Sequence, residues 1–360
     1  MRNNPAFGRY PTTVARVFTR GTIRNQIQIG SNTEPGSVTL KAITVSKTGA
    51  ETHLVLAEHT EPGAAPDEAI VAVRAFSLNN GEVRGALNEG SDGDRPGWDL
   101  SGVVQTAPEG SGFHPGDRVV GLVWSGGWAE RVAVPTSRLA KIPDDVSFEA
   151  ASTLPVAGLT AAIALRKKAI GPGSRVLVTA ATGGVGIYAI QLAAATGAHV
   201  TAFTRDGSTA EFLRSLGAND IAVGVEAGEK GGPYDLILEG VGGSLLGEAL
   251  MWLASRGVCV LFGDASEDTL TTFDARRFRL QSGGAYGGTV LYGFFLLEEL
   301  TRPEHAADGA AILADLAQQL SDGGLHPVIG KTAPWADINA TARELLKRKF
   351  AGKAVLTVGG

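Results

Sequence analysis

The glycines at 183, 184 and 186 lie in Val176-Leu-Val-Thr-Ala-Ala-Thr-Gly-Gly-Val-Gly186, which continues as Ile187-Tyr-Ala-Ile-Gln-Leu192. An apolar run that reads as a buried strand thus enters a Gly-rich turn and leaves it as an Ala-rich helix. That context puts backbone N–H groups and the positive end of a helix dipole where a pyrophosphate can sit. The strict G-x-G-x-x-G pattern has Ala181 in place of its first glycine. Gly183 lets a pyrophosphate approach the backbone, Gly186 lets helix and strand pack closely, and the N–H groups from Gly184 onward face the phosphates. A tight turn with no ligand is the alternative.

A dinucleotide site also needs a ribose reader at the end of the next strand, about 20 residues beyond the glycines. The run His199-Val-Thr-Ala-Phe-Thr204 ends without an acid, and Arg205 and Asp206 follow. A guanidinium there pairs with a 2′-phosphate that a carboxylate would repel, so Thr204 and Arg205 point to NADPH. In the competing reading Asp206 holds the ribose and Arg205 is a surface charge. Two more turns, Glu239-Gly-Val-Gly-Gly243 and Phe262-Gly-Asp264, follow apolar runs. Ligands of open α/β sheets lie outside the carboxyl ends of the strands, which makes Gly240, Phe262 and Gly263 candidates to touch adenosine, ribose or nicotinamide. Each also reads as an ordinary turn residue.

These positions require a parallel sheet, and the pattern supplies one. Strands are expected at 174–179, 199–204, 221–224, 235–239 and 258–262, with helices at 184–196, 208–216 and 244–254 between them. Ahead of this region, short β-rich runs at 40–45, 68–75, 102–105, 118–123 and 128–134, punctuated by Gly and Pro, suggest a compact barrel-like β domain. Helices are expected at 149–157 and 158–168. Beyond the sheet, helices at 306–320 and 338–347 and a strand at 354–358 are expected to return to the first domain. The fold class is α/β, with a β-barrel domain at 38–157 and 301–360 and an inserted doubly wound domain at 158–300.

Composition excludes several alternatives. A net charge of -5 over 360 residues gives no basic field for nucleic acid. No run approaches the ~18 apolar residues of a membrane span. The single cysteine, Cys259, forbids an internal disulfide and a four-cysteine zinc site, and its apolar surroundings read as a core strand. Residues 1–33 carry Arg2, Arg9, Arg16, Arg20 and Arg24 and no acid. They read as a disordered extension, ending near 37, or as sequence upstream of the true start. A mitochondrial transit peptide is the other reading, so the expected compartment is the cytoplasm or, on that reading, the mitochondrion.

Gly97-Trp-Asp-Leu-Ser-Gly-Val-Val104, Pro115-Gly-Asp-Arg-Val-Val-Gly121, Gly126-Gly-Trp-Ala-Glu130, Leu154-Pro-Val-Ala-Gly-Leu-Thr-Ala161, the 180–186 turn and Gly352-Lys-Ala-Val-Leu356 occur in this order. Together they resemble the medium-chain dehydrogenase/reductase superfamily, in its zinc-independent quinone oxidoreductase (zeta-crystallin-like) branch. The resemblance spans residues ~38–360. It implies a GroES-like β domain made from both parts of the chain, an inserted Rossmann domain, and an active site in the cleft between them. It equates Asn79 with an asparagine near the nicotinamide ribose, Thr160 with a threonine near the nicotinamide or its phosphate, Thr182 to Val185 with the pyrophosphate turn, and Lys353 with a basic residue near the cofactor cleft. Zinc-dependent members bind metal through a Cys, a His-Glu pair and a second Cys or Asp. Here the His-Glu position is Trp98-Asp99, and no metal is expected. Where many relatives carry a tyrosine after the asparagine, this chain has Arg84, which suits a polar or anionic substrate.

The implied activity is hydride transfer from NADPH to a small electrophile, a quinone or an α,β-unsaturated carbonyl. The enolate-like oxygen that forms needs hydrogen-bond donors, for which Asn79 and Arg84 are candidates. Asp99 reads either as a proton relay or as a structural acceptor of backbone amides. Trp98, Trp124 and Trp128 read as cleft lining or as core. An enoyl-thioester reductase and a nonenzymatic NADPH-binding protein are the alternative functions. The resemblance implies a homodimer, with the apolar stretch 288–296 as an edge able to pair across a two-fold axis.

Overall fold

A computed structural model describes residues 39–280, 287–302 and 308–359. The expectation for residues 1–37 lies outside the described residues.

The first strands are β1 (Thr39–Thr48), β2 (Glu51–Thr60) and β3 (Glu68–Leu78), followed by α1 (Asn80–Asn88). Then come β4 (Asp99–Thr106), β5 (Arg118–Leu122), β6 (Arg131–Pro135) and β7 (Leu139–Lys141). Helices α2 (Phe148–Ser152) and α3 (Leu159–Leu165) lead into an alternating series. It runs β8 (Arg175–Val178), α4 (Gly184–Ala195), β9 (His199–Thr204), α5 (Ala210–Ser215), β10 (Asp220–Val223), α6 (Gly224–Gly231), β11 (Tyr234–Glu239), α7 (Gly243–Met251) and β12 (Leu253–Leu261). The remaining elements are α8 (Ala275–Leu280), β13 (Val290–Gly293), α9 (Leu296–Glu299), α10 (Asp308–Ser321), β14 (Ile329–Pro334), α11 (Ile338–Leu346) and β15 (Lys353–Thr357).

The alternating series forms a parallel sheet ordered β10-β9-β8-β11-β12-β13. Its order reverses between β8 and β11, the switch point where ligands of such sheets sit. The second sheet runs β14-β15-β3-β4-β5-β7, with β6 on β3. The C-terminal strands thus return to the sheet of the N-terminal half, β15 pairing antiparallel with β3. The hairpin β1–β2 docks on it through the Ile43 N–H, which donates to the Trp128 carbonyl at 2.8 Å.

The two helices expected at 149–157 and 158–168 form differently. Ser147 accepts the Ala150 N–H at 3.1 Å and starts α2, which stops at Ser152. A wide π-helical turn, Leu154–Gly158, follows before α3. Pro155 in that turn has no N–H to give to the ladder. The strand expected from 258 begins earlier, at Leu253, and α7 ends correspondingly sooner.

Candidate active site

The Gly-rich turn stands at the carboxyl end of β8, where Gly183 is the residue before α4. A side chain on Gly186 would run into the Ala180 carbonyl, so the helix lies as close to the strand as backbone allows. On Gly183 a Cβ would meet only that carbonyl, at 3.2 Å, leaving open space outside the turn. The first turn of α4 offers N–H groups without intrahelical acceptors, as any helix start does. The space over Gly183 and those donors fit a pyrophosphate. The left-handed backbone falls on Ala180, at φ 48°, and not on Ala181, the residue in place of the motif's first glycine. Thr182 and Val185 are half-buried in the same turn.

The second sheet reaches this turn directly. Gly352 donates its N–H to the Thr182 carbonyl at 2.9 Å, and Gly183 and Gly352 form a parallel bridge. A Cβ on Gly184 would come within 2.6 Å of Lys353 Cδ, so the lysine stem lies across the glycine. The Lys353 ammonium donates to Asn79 Oδ1 and lies 3.5 Å from Asp99 Oδ2.

Asp99 is fully buried on β4 and faces four donors from three segments of the chain. Its Oδ2 accepts Ser77 Oγ at 2.5 Å and Asn79 Nδ2 at 2.9 Å, and its Oδ1 accepts the Val156 N–H at 3.0 Å. That amide belongs to the π-helical turn. Of the donors to Asp99, one is a backbone amide and the others are side chains, where backbone amides alone were expected of a structural acceptor. Asn79 also donates Nδ2 to Glu82 Oε1 at 3.0 Å, while its own backbone N–H meets the same oxygen at 2.9 Å and begins α1. Trp98 N–H donates to Glu82 Oε2 at 2.9 Å. Burial, with Asp99 nearby, pushes the Glu82 carboxyl up to about 8. Glu82, Asp99 and Lys353 are all buried, and the ammonium, 3.5 Å from Asp99, also draws the Glu82 pKa down against the larger effects that raise it. Both amide hydrogens of Asn79 are engaged within this network. Glu82 went unnoticed in the sequence, although its place three residues after Asn79 is a capping-box signal.

Arg84 points from α1 to the turn after β12. Its guanidinium donates to the Asp264 carbonyl at 3.1 Å and forms an ion pair with the Asp264 carboxylate. Arg348 donates to the next carbonyl, that of Ala265. The turn is fixed on the Rossmann side by Ala265 N–H to the Gly240 carbonyl at 3.2 Å and Ser266 N–H to the Val241 carbonyl at 2.7 Å. A Cβ on Gly240 would strike the Phe262 ring at 2.7 Å, and one on Gly263 would approach the Gly240 carbonyl at 2.9 Å. The two candidate turns therefore pack on each other. Buried Glu239 shapes the first of them by accepting the Gly242 N–H at 2.8 Å, the Val241 N–H at 3.0 Å and Thr179 Oγ1 at 3.0 Å, with burial raising its pKa.

At the end of β9, Thr204 Oγ1 donates to the Asp206 carbonyl at 3.0 Å, and Arg205 is exposed. Asp206 turns back on its own loop, where it accepts the Ser208 N–H at 2.9 Å and the Ser208 hydroxyl. Those bonds hold its carboxyl below the usual range. Thr160 is buried at the start of α3. Trp128 is core, stacked on Phe76 with ring centres 5.7 Å apart. Trp98 is half-buried, and the Arg138 guanidinium covers Trp124 at 4.1 Å. Cys259 is buried in β12, and burial raises its thiol pKa. Among the described residues, no group of three or more His, Cys, Asp and Glu side chains is arranged to hold a metal, and no helix is long and apolar enough to cross a membrane.

Residues 65–144 match the alcohol dehydrogenase GroES-like domain and residues 184–297 the zinc-binding dehydrogenase domain. The chain is 34% identical to the spectinabilin polyketide synthase protein NorB of Streptomyces orinoci over 85% of its own length, but spans only 14% of that protein. It is 29% identical to quinone oxidoreductase-like protein 2 of Bos taurus, covering 85% of this chain and 89% of the relative. With the mitochondrial NAD(P)H oxidoreductase RTN4IP1 of Bos taurus it shares 31% identity, and the match covers 91% of each chain. Among solved structures, mycobacterial Rv1454c complexed with NADPH superposes with a TM-score of 0.75 at 26% identity, over 88% of this chain and 99% of that one. The fold, the phosphate turn and these matches agree: the chain belongs to the medium-chain dehydrogenase/reductase family and is an oxidoreductase of its quinone oxidoreductase-like group.

Proposed function

We propose that this chain passes a hydride from NADPH to a quinone or an α,β-unsaturated carbonyl compound, without a metal ion, in the cleft between the two sheets. The reading rests on one observation above others. The open turn at Gly183 stands at the switch point of the parallel sheet with a buried lysine of the other sheet laid across it. In this reading Thr182, Gly183, Gly184, Val185 and Gly186 hold the pyrophosphate, and Thr204 with Arg205 holds the 2′-phosphate of the ribose. That Asp206 is occupied by Ser208 supports NADPH over NAD. Gly240, Phe262, Gly263 and Thr160 flank the nicotinamide. Residues 38–157 with 301–360 make the GroES-like catalytic domain, and 158–300 the NADP(H) domain.

The bound nicotinamide supplies a hydride. The chain must orient the electrophile, exclude water and receive the negative charge that develops on the carbonyl oxygen. Asn79, whose amide hydrogens are spent on Glu82 and Asp99, acts by holding the Lys353 ammonium in place. Arg84 keeps N–H groups beyond the two it gives to Asp264 and is the donor to the developing oxyanion. A solvent proton completes the reduction. The donor set supports metal-free chemistry, since residues 38–157 contain no cysteine and Asp99, at the His-Glu position, is bonded to Ser77, Asn79 and Val156.

The test is oxidation of NADPH and NADH across benzoquinone, simple enones and crotonyl thioesters, with and without a chelator. NADPH-specific turnover of quinone or enone, unaffected by the chelator, is expected. Preference for the thioester favours the enoyl-thioester reductase reading, to which the polyketide synthase relative lends weight. NADPH binding with no turnover on any compound favours a nonenzymatic role. The cytoplasm remains the proposed compartment, and the mitochondrion the alternative because residues 1–33 are Arg-rich. A homodimer through β13 is part of the same reading.

A further inference from the structure

We infer that Asp264 determines substrate charge. By balancing the Arg84 guanidinium it reserves the cleft for uncharged electrophiles. The inference rests on the proposed reduction of enones and quinones, and adds the substrate's charge class.

Taken alone, an arginine at position 84 would attract an anionic substrate. The structure gives that arginine a partner. Arg84 Nη1 bonds the Asp264 carbonyl at 3.1 Å and Nη2 the carboxylate of the same residue. One residue thus takes two of its donors and matches its charge. The backbone that carries Asp264 is held through its neighbours. Ala265 and Ser266 donate to the Gly240 and Val241 carbonyls at 3.2 and 2.7 Å, and Arg348 grips the Ala265 carbonyl. The pair stands at the carboxyl end of β12, beside the Phe262–Gly263 turn proposed to flank the nicotinamide. A neutral carbonyl can still accept one of the remaining Arg84 N–H groups. An incoming carboxylate must approach past Asp264 and compete with it for the guanidinium. Arg84 is 35% exposed and Asp264 75% exposed, so the effect is moderate and screened by salt.

The experiment compares a γ-keto enoic acid with its methyl ester, as the ratio of kcat/KM values with NADPH. Asp264→Asn should raise the acid-to-ester ratio about five-fold at low ionic strength, equivalent to ~1 kcal/mol. The gain should fade at 0.5 M salt (on the order of a 4–5 Å screening length). Arg84→Met with Asp264→Asn should return the ratio to the wild-type value. An unchanged ratio in Asp264→Asn overturns the inference while leaving ester reduction, and so the enone reading, intact. A rise that survives in the double variant also overturns it, because the field of Asp264 would then act without Arg84. Tryptophan fluorescence titration with the acid and the ester reads the same ratio as binding, without turnover. If the wild type fails to reduce the ester, the functional reading falls and this titration still decides the charge filter.

Discussion

Lys353 lies across Gly184: its stem occupies the space that any side chain on the glycine would need, and its ammonium bonds Asn79, which follows β3 in the sheet of the lysine itself. Replacing Gly184 with Ala must displace a buried lysine already committed to Asn79 and Asp99. Overpacking of this kind costs about 1–3 kcal/mol. Gly184→Ala should lower stability by that amount in urea unfolding and weaken NADPH binding by about ten-fold or more by fluorescence titration. Full NADPH affinity in the variant would show that the lysine and the phosphate turn are independent.

The Glu82 carboxyl supplies a pH signature. Its native pKa of about 8 lies above the ordinary 4.5, so between those values the folded state holds a proton that the unfolded chain releases. The stabilisation is complete below about pH 4.5 and is lost as pH rises through about 8. Wild-type protein should lose on the order of 2 kcal/mol or more over that window from this group, and Glu82→Gln should flatten the slope. Urea unfolding at several pH values measures both curves. Identical slopes would remove Glu82 as the cause.

Arg205 should set the cofactor. A charge-assisted pair with a 2′-phosphate is worth about 1.5–3 kcal/mol, or roughly 10–100-fold in affinity. Arg205→Ala should raise the Kd for NADPH by that factor and leave that for NADH nearly unchanged. Equal effects on both nucleotides would move the ribose reader elsewhere.

Lys167 and Glu299 tie α9 and β13 to the rest of the Rossmann domain. Glu299 is 1% exposed and bonds the lysine at 2.6 Å and the Tyr292 hydroxyl at 2.5 Å. Glu299 keeps the Tyr292 hydroxyl and the Arg302 guanidinium, 3.7 Å away, when the lysine is removed. Lys167→Met should therefore destabilise the protein by about 1–3 kcal/mol, the cost of one lost buried hydrogen bond to a charged group. Lys167→Met with Glu299→Leu should recover most of the loss.

The edge strand β13 carries Val290 and Leu291, 44% and 41% exposed, with Phe295 at 59% just beyond it. If two chains pair there, Leu291→Lys should convert a dimer to a monomer in size-exclusion chromatography with little change in melting temperature. A wild-type monomer would reject the dimer outright.

Much of the parallel sheet was legible because β10 and β11 are short, mostly apolar runs that stop at Gly224 and Glu239, and β9 stops before Arg205. The Gly-rich turn at 183–186 was legible as a turn because Gly186 answers a local backbone demand. Other parts were not. Helix α1 holds Gly81, Gly85 and Asn88, poor helix formers, and is fixed instead by the Asn79–Glu82 capping box. Helix α6, Gly-rich in the same way, was also missed. The strand β2 groups its apolar residues at Leu54, Val55, Leu56 and Ala57 instead of alternating them, and keeps one buried side chain, Leu54, among its ten residues. Pro155 was visible as a proline, yet the bond of the next amide, Val156, to Asp99 joins residues far apart in the chain. The pairing of Arg84 with Asp264 is of the same kind, as no local pattern joins an arginine on α1 to a turn after β12.

The bridge between Gly183 and Gly352 ties a turn in the middle of the chain to a strand close to its C-terminal end. A nascent chain that has already emerged with the entire parallel sheet still lacks Gly352 and Lys353. The turn at Gly183 then lacks the contacts that Gly352 and Lys353 make with it, and β14 and β3 lose the strand that joins them, so the order of the second sheet and the shape of a turn on the first are completed by the same short segment.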